Sequence, residues 1–364
     1  MHKLKTWNAT SLSFQSGELE RVLQEPARIL AEGGLVAFPT ETVYGLGANA
    51  WNEQAVSGIF KAKGRPADNP LIVHIAKLDD ISKVADEKFV PSAAMQKAMD
   101  VFWPGPLTII MPVNQKIAES VHPNMDTVGV RMPSHRVART LIELSGCPIA
   151  APSANQSGRP SPTTAYDVLE DMDGRIDGVV DGGACNVGLE STVVAIHETN
   201  AVIYRPGGVT KEQLEQALGI SVSLDPHLTS QTPSAFTPKS PGMKYRHYAP
   251  NAVVDVWWGS AEHVKEAMYS FYGNLPKLEQ AATAVMAPTE VLSMFNGMIP
   301  NEQLWTGTDA YATELSHVLY SELRAFDRLR MKRILICGVD PREGIGLALM
   351  NRLQKSSEGR VHAV

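Results

Sequence analysis

Residues 35–50, LVAFPTETVYGLGANA, restrict what this chain can fold into more than any other stretch. Leu35 to Phe38 form an apolar run of the length of a short buried strand. Pro39 closes it, because proline has no N–H to offer a sheet ladder. Thr40, Glu41 and Thr42 then place two hydroxyls and a carboxylate just past the strand's carboxyl end, where open α/β sheets hold their ligands. Tyr44 adds a flat surface, and Gly45 and Gly47 are expected to allow close backbone approach to a ligand or a positive φ. An ordinary strand-to-loop turn would read the same way, so the stretch acquires meaning only if the rest of the chain repeats it.

It does repeat it. A helix over Glu18–Glu32, with Leu19, Val22, Leu23, Ile29 and Leu30 at helical spacing, stops at Gly33-Gly34 and delivers the chain to that strand. A second helix, Glu53 to Lys63, breaks at Gly64 into KGRPADNPLIVHIA, where Lys63, Arg65, Asn69 and His74 lie among stiffening prolines. Two cations there suit an anion, lysine as a point charge and arginine as a fork for phosphate or carboxylate. A lone Lys-x-Arg is more often solvated surface, and a lone strand histidine is more often structural than catalytic.

Further on, TVGVRMP alternates as a strand, with Val128 and Val130 on one face and Thr127, Gly129 and Arg131 on the other. An arginine in so apolar a strand needs a partner, either a bound carboxylate or an internal acid. After a helix over His135–Leu144, PIAAPSANQSGRPS is again a strand entering a small polar loop, with Ser153, Asn155 and Ser161 and no Walker A pattern. Ser191 and Thr192 open another strand, and Val202–Tyr204 ends in Arg205-Pro206-Gly207-Gly208. Strand after strand thus ends in a turn bearing Thr42, Arg65, Ser153, Ser191 or Arg205, which points to one cleft for a ligand with several negative charges, such as a nucleotide.

The 364 residues exceed one ordinary core and imply two domains. A net charge of −6 argues against nucleic-acid binding by bulk electrostatics, while leaving room for a local basic pocket. Three cysteines without paired spacing indicate neither a disulfide framework nor a zinc site. No signal-peptide core or membrane-length apolar run is present, so a cytoplasmic protein making no membrane contact is expected. Residues 1–17 read as an extended lead-in and 221–243, rich in Ser, Thr and Pro, as a connector. From Val253, strands and helices alternate as in a small doubly wound α/β domain. Its Asp340–Gly346 turn lacks a dinucleotide fingerprint and reads as an ordinary βα loop.

PTETVYGLG, KAKGRPADNPL, WPGPLT, VGVRMP, APSANQSGRPSPT, GLESTVV and YRPGG, in this order, resemble the threonylcarbamoyl-adenylate synthases, which carry a YrdC-like domain. KYRHYAP at 244–250, followed by an α/β portion, resembles the two-domain form of that family. The resemblance implies a twisted mixed α/β sheet with helices forming a basic cleft, over 1–220, a linker or lid over 221–251, and a C-terminal α/β domain over 252–364. It implies a nucleotidyltransferase that converts L-threonine, bicarbonate and ATP, with Mg2+ on the triphosphate, into threonylcarbamoyl-adenylate and pyrophosphate. The product would feed N6-threonylcarbamoyl modification of tRNA adenosine 37 through a separate transferase complex.

By the same resemblance, Lys63 and Arg65 with Ser153 and Asn155 would form the catalytic, nucleotide-handling set. Asn69, Thr127, Ser161, Arg205 and His247 would also contact ATP, while Thr42, His74, Arg131, the backbone at Ala151 and Ser191 would hold threonine. His247 would act from a lid closing over the cleft. Metal ligands from the protein are not implied. Two competing readings are an RNA-binding module, with weak direct contact to tRNA, and adenylate chemistry on carbamoyl phosphate. The second is weakened because no acylphosphatase-like or zinc-finger region accompanies it.

Overall fold

The computed structural model describes residues 4–10, 17–228, 248–342 and 344–364. They divide into two compact units, Met1–Ser157 with Ser161–Tyr245, and Gly158–Pro160 with Arg246–Val364.

In the first unit the strands, in chain order, are β1 (Lys5–Asn8), β2 (Val36–Phe38), β3 (Gly45–Asn49), β4 (Ile72–His74), β5 (Leu107–Pro112), β6 (Thr127–Arg131), β7 (Ile149–Ala150), β8 (Gly178–Asp181), β9 (Thr192–Ile196), β10 (Asn200–Arg205) and β11 (Ser221–Leu224). They make one mixed sheet in the order β1-β8-β2-β3-β7-β4-β6-β5-β9-β10-β11. β6 runs parallel to β4 and antiparallel to β5. The helices are α1 (Glu18–Ala31), α2 (Glu53–Lys63), α3 (Ala93–Phe102), α4 (Arg136–Ser145), α5 (Ala165–Met172) and α6 (Lys211–Leu218).

Local chemistry explains the elements that matter for the site. Asn52 caps α2 by accepting from the N–H groups of Gln54 and Ala55, and Gly64, at φ 62°, ends it in the left-handed conformation. That stop sets Lys63 on the last turn and turns the chain into Arg65. The alternation in β6 is as expected: Val128 and Val130 join the larger apolar core with Val73, Ile109 and Met111, and Arg131 lies on the opposite face. A second cluster containing Phe38, Val36, Leu141 and Ile149 covers other parts of the sheet, so this opposite face is buried too.

Three expectations change. Within the lead-in, Lys5–Asn8 is a strand paired in parallel with Gly178–Asp181, because a sheet edge offers a ladder that the sequence alone does not reveal. The connector does not begin at 221, since Ser221–Leu224 pairs in parallel with Asn200–Ile203 and belongs to this sheet. Gly45 and Gly47 are strand residues without positive φ. A Cβ on Gly47 would lie 2.8 Å from the Phe38 ring and 2.9 Å from Ile149, so the glycine makes room for the sheet's own side chains rather than for a ligand.

The second unit has strands β12 (Val253–Trp258), β13 (Thr283–Pro288), β14 (Leu304–Gly307), β15 (Arg333–Cys337) and β16 (Val361–Ala363), in the order β14-β13-β15-β12-β16. All neighbouring pairs are parallel. Between them come helices α7 (Ala261–Asn274), α8 (Lys277–Ala281), α9 (Thr289–Leu292), α10 (Tyr311–Arg328) and α11 (Gly346–Ser356). Helical crossovers between parallel strands are what an alternating βα pattern requires. Tyr248, from the KYRHYAP motif, stacks on Tyr320 of α10 with ring centroids 5.3 Å apart, and the Arg352 guanidinium lies 5.6 Å from its ring. The described end of that motif is therefore packed into this unit.

Candidate substrate-binding site

Register places the polar residues of the first unit before any side-chain contact is considered. His74 of β4 pairs with Arg131 of β6, and Arg131 pairs with Thr108 of β5. Directly paired residues project to the same side of a sheet, so these three form a row across adjacent strands. The Thr108 hydroxyl lies 2.8 Å from the Ser191 hydroxyl, and Arg205 Nη2 donates to Ser191 Oγ at 3.0 Å and to Ser191 O at 2.9 Å. His74, Arg131, Thr108, Ser191 and Arg205 make a continuous polar strip, each 5% exposed or less. Thr108 carries no signal of its own in the sequence; its place in the strip follows only from its register opposite Arg131.

Burial explains the electrostatics of the strip. Desolvation, with the Arg131 charge adding to it, pushes the His74 imidazole down to about 3, so it is neutral. Its Nδ1 has no hydrogen-bond partner among the described residues. Arg131 answers the question its sequence position raised: Glu41 Oε1 lies 2.7 Å from Arg131 Nη2, with both side chains under a tenth exposed. Thr42, also buried, lies beside this acid with its hydroxyl 2.8 Å from that of Thr40. The Ala151 N–H donates to Ile72 O at 2.9 Å, which ties the start of the Ser153 loop to β4.

A second polar group gathers around the end of α2. Lys63 Nζ donates to Ser153 O at 2.5 Å and to Asn155 O at 2.6 Å, and Ser153 Oγ donates to Asn155 Oδ1 at 2.5 Å. The Ser157 N–H donates back to Lys63 O at 2.9 Å. Lysine thus holds the serine–asparagine loop through its carbonyls, a structural task the sequence did not assign it. Arg65 is 7% exposed, with its guanidinium 6.0 Å from the Phe60 ring centroid. Asn69 is fully buried, yet neither its amide oxygen nor its nitrogen has a hydrogen-bond partner among the described residues. A buried amide without a partner is costly, because burial removes the water that would otherwise satisfy it.

Ser161 Oγ donates to Glu190 Oε1 at 2.7 Å, joining the serine–asparagine loop to the segment that carries Ser191. Thr127 opens β6 on the same side as Arg131 but at the other end, about 13 Å away at ~3.3 Å per residue. It is not brought into contact with Arg131. His247 lies outside the described residues.

Residues 28–207 match the family described as "Telomere recombination", and residues 209–358 match "Threonylcarbamoyl-AMP synthase, C-terminal domain". A threonylcarbamoyl-AMP synthase of Pyrococcus abyssi is 44% identical over 346 residues, covering 94% of this chain and 97% of the relative. One from Bacillus subtilis is 43% identical over 343 residues, covering 93% and 94%. The crystal structure of P. abyssi Sua5 complexed with L-threonine superposes with a TM-score of 0.87 at 41% identity, covering 99% of each chain.

Proposed function

From the premise that the chain belongs to the threonylcarbamoyl-AMP synthase family, we propose that it makes L-threonylcarbamoyl-adenylate and pyrophosphate from L-threonine, bicarbonate and ATP. One observation carries the reading furthest: a neutral histidine, a buried arginine and hydroxyls share one strip, while Asn69 stands buried with an unsatisfied amide. Arg131 offers a fixed cation for threonine's carboxylate. Thr42, His74, the backbone at Ala151 and Ser191 are the companions assigned to the same amino acid. The relative from P. abyssi has been crystallised with L-threonine.

ATP is assigned to Lys63, Arg65, Asn69, Thr127, Ser153, Asn155, Ser161 and Arg205. The ~13 Å between Thr127 and Arg131 along one side of β6 suits a nucleotide and an amino acid placed end to end. Threonine's free amine attacks carbon dioxide derived from bicarbonate and gives a carbamate, the amine proton leaving with the hydroxide of bicarbonate as water. A carbamate oxygen then attacks the α-phosphorus of ATP, and the bond to the β-phosphate oxygen breaks with release of pyrophosphate. No covalent enzyme nucleophile is needed; positioning and cationic neutralisation carry the step. Neutral His74 serves as a hydrogen-bonding group there, not as a cation.

Mg2+ is the usual companion of a triphosphate. Among the described residues no group of three or more His, Cys, Asp or Glu side chains could hold a metal ion. The ion would be held by phosphate oxygens and water, with at most one or two carboxylates, and would neutralise phosphate charge. The product, a mixed anhydride, is an activated donor that suits a separate transferase acting on adenosine 37 of tRNA. Among the described residues no helix is long and apolar enough to cross a membrane.

The test is incubation with ATP, bicarbonate and single amino acids while pyrophosphate is followed. Release stimulated by L-threonine above all other amino acids is expected. Release that is equal with every amino acid, or absent with threonine, would overturn the proposal.

A further inference from the structure

Glu41 belongs to none of the residue sets assigned above, yet its environment is that of a working part. It is 7% exposed at the end of β2, and its main chain is fixed by the Val187 N–H donating to Glu41 O at 2.8 Å. The Ser134 N–H donates to Oε2 at 3.1 Å, which aims the other oxygen at Arg131. Oε1 then sits 2.7 Å from Arg131 Nη2. On its far side the guanidinium is steadied by Nε donating to Gly105 O at 3.4 Å.

Although Oε1 and Nη2 are at ion-pair distance, neither atom makes a hydrogen bond of acceptable geometry among the described residues. The acid balances a buried positive charge through one short contact at Nη2. An arginine left wholly uncompensated at this burial would be strongly unfavourable, and one whose N–H groups were all taken would have none for a ligand.

We infer that Glu41 is the positioning residue for Arg131, a fixed internal counter-ion that balances its buried charge and orients the guanidinium for an incoming carboxylate. This rests on the reading that Arg131 receives the carboxylate of threonine. Glu41 acts through Arg131 and need not touch the substrate.

A double-mutant cycle tests it in the full chain, with pyrophosphate release measured against threonine and against ATP. Glu41→Gln keeps size and the Ser134 bond but removes the charge. It is expected to raise the KM for threonine about 10- to 100-fold, the range for a misplaced binding group. The KM for ATP and kcat at saturating threonine should stay within about threefold. Glu41→Asp, which retains the charge, should fall between the two and replaces the glutamine variant if that does not fold.

In an Arg131→Lys background, itself raised in threonine KM, adding Glu41→Gln should change that KM by less than about twofold. A fully multiplicative effect, an unchanged KM, or a lowered one in Glu41→Gln would overturn the inference. So would loss of active fraction and thermal midpoint without any change in KM, which marks a merely structural role. If Arg131→Lys alone leaves the threonine KM unchanged, the assignment of Arg131 falls first, so the two failures are told apart.

Discussion

Lys63 was read from the sequence as a phosphate cation, and its position at the end of α2 followed from Asn52 and Gly64. What the sequence did not contain is that its ammonium is bonded to Ser153 O and Asn155 O, ninety residues away along the chain. Lys63→Met should therefore lower threonine-stimulated pyrophosphate release by at least ~10²-fold, in line with losing one charged donor, with an unchanged far-ultraviolet circular dichroism spectrum. His74 makes a prediction of opposite character. Its folded-state value of about 3 lies below the ordinary value of ~6.5 for an unfolded histidine. Between those values the unfolded chain takes up a proton that the folded chain refuses, so stability falls as pH drops through that window. His74→Asn should flatten the decline of the thermal midpoint between about pH 6.5 and 4.

At the scale of elements, β6 was legible because alternation in five residues separates an apolar face from Thr127, Gly129 and Arg131. The row it forms with Thr108 was not, since which strands lie beside β6 is a property of the whole sheet. The turn after β10 is a comparable case. Gly207 reads as a loop glycine, but a Cβ there would lie 2.2 Å from Glu190 O and 2.5 Å from the backbone of Ser191 and Thr192. Backbone cannot yield as a side-chain tip can. Gly207→Ala should destabilise the protein by about 3 kcal/mol, the upper end for overpacking, visible as a lowered urea midpoint. Because Arg205 is bonded to the same serine, threonine-stimulated turnover should fall as well.

Across the whole chain, a net charge of −6 bears on partners more than on fold. Filter retention of tRNA should be weak and should fall steeply between about 50 and 200 mM salt, since any such contact is local and electrostatic. In the second unit, Asp255 is 4% exposed and meets the Arg333 guanidinium, with Arg360 Nε at 3.8 Å and His362 Nε2 at 3.9 Å from its other oxygen. Asp255→Ala should cost about 3 kcal/mol there, since it removes the acid from a partly buried cation, and a lowered thermal midpoint would report it.

Hydrophobic periodicity and turn residues acted over a few positions, so the sequence by itself determined most helices and strands, the α/β class and the motifs that carry the family resemblance. Edge pairing of Lys5–Asn8 and Ser221–Leu224, the packing role of Gly47, and the meeting of Glu41 with Arg131 depend on which distant segments become neighbours. Those contacts are settled by the register of one sheet, and only the tertiary structure sets that register, because side chains ninety residues apart have no local rule that brings them together.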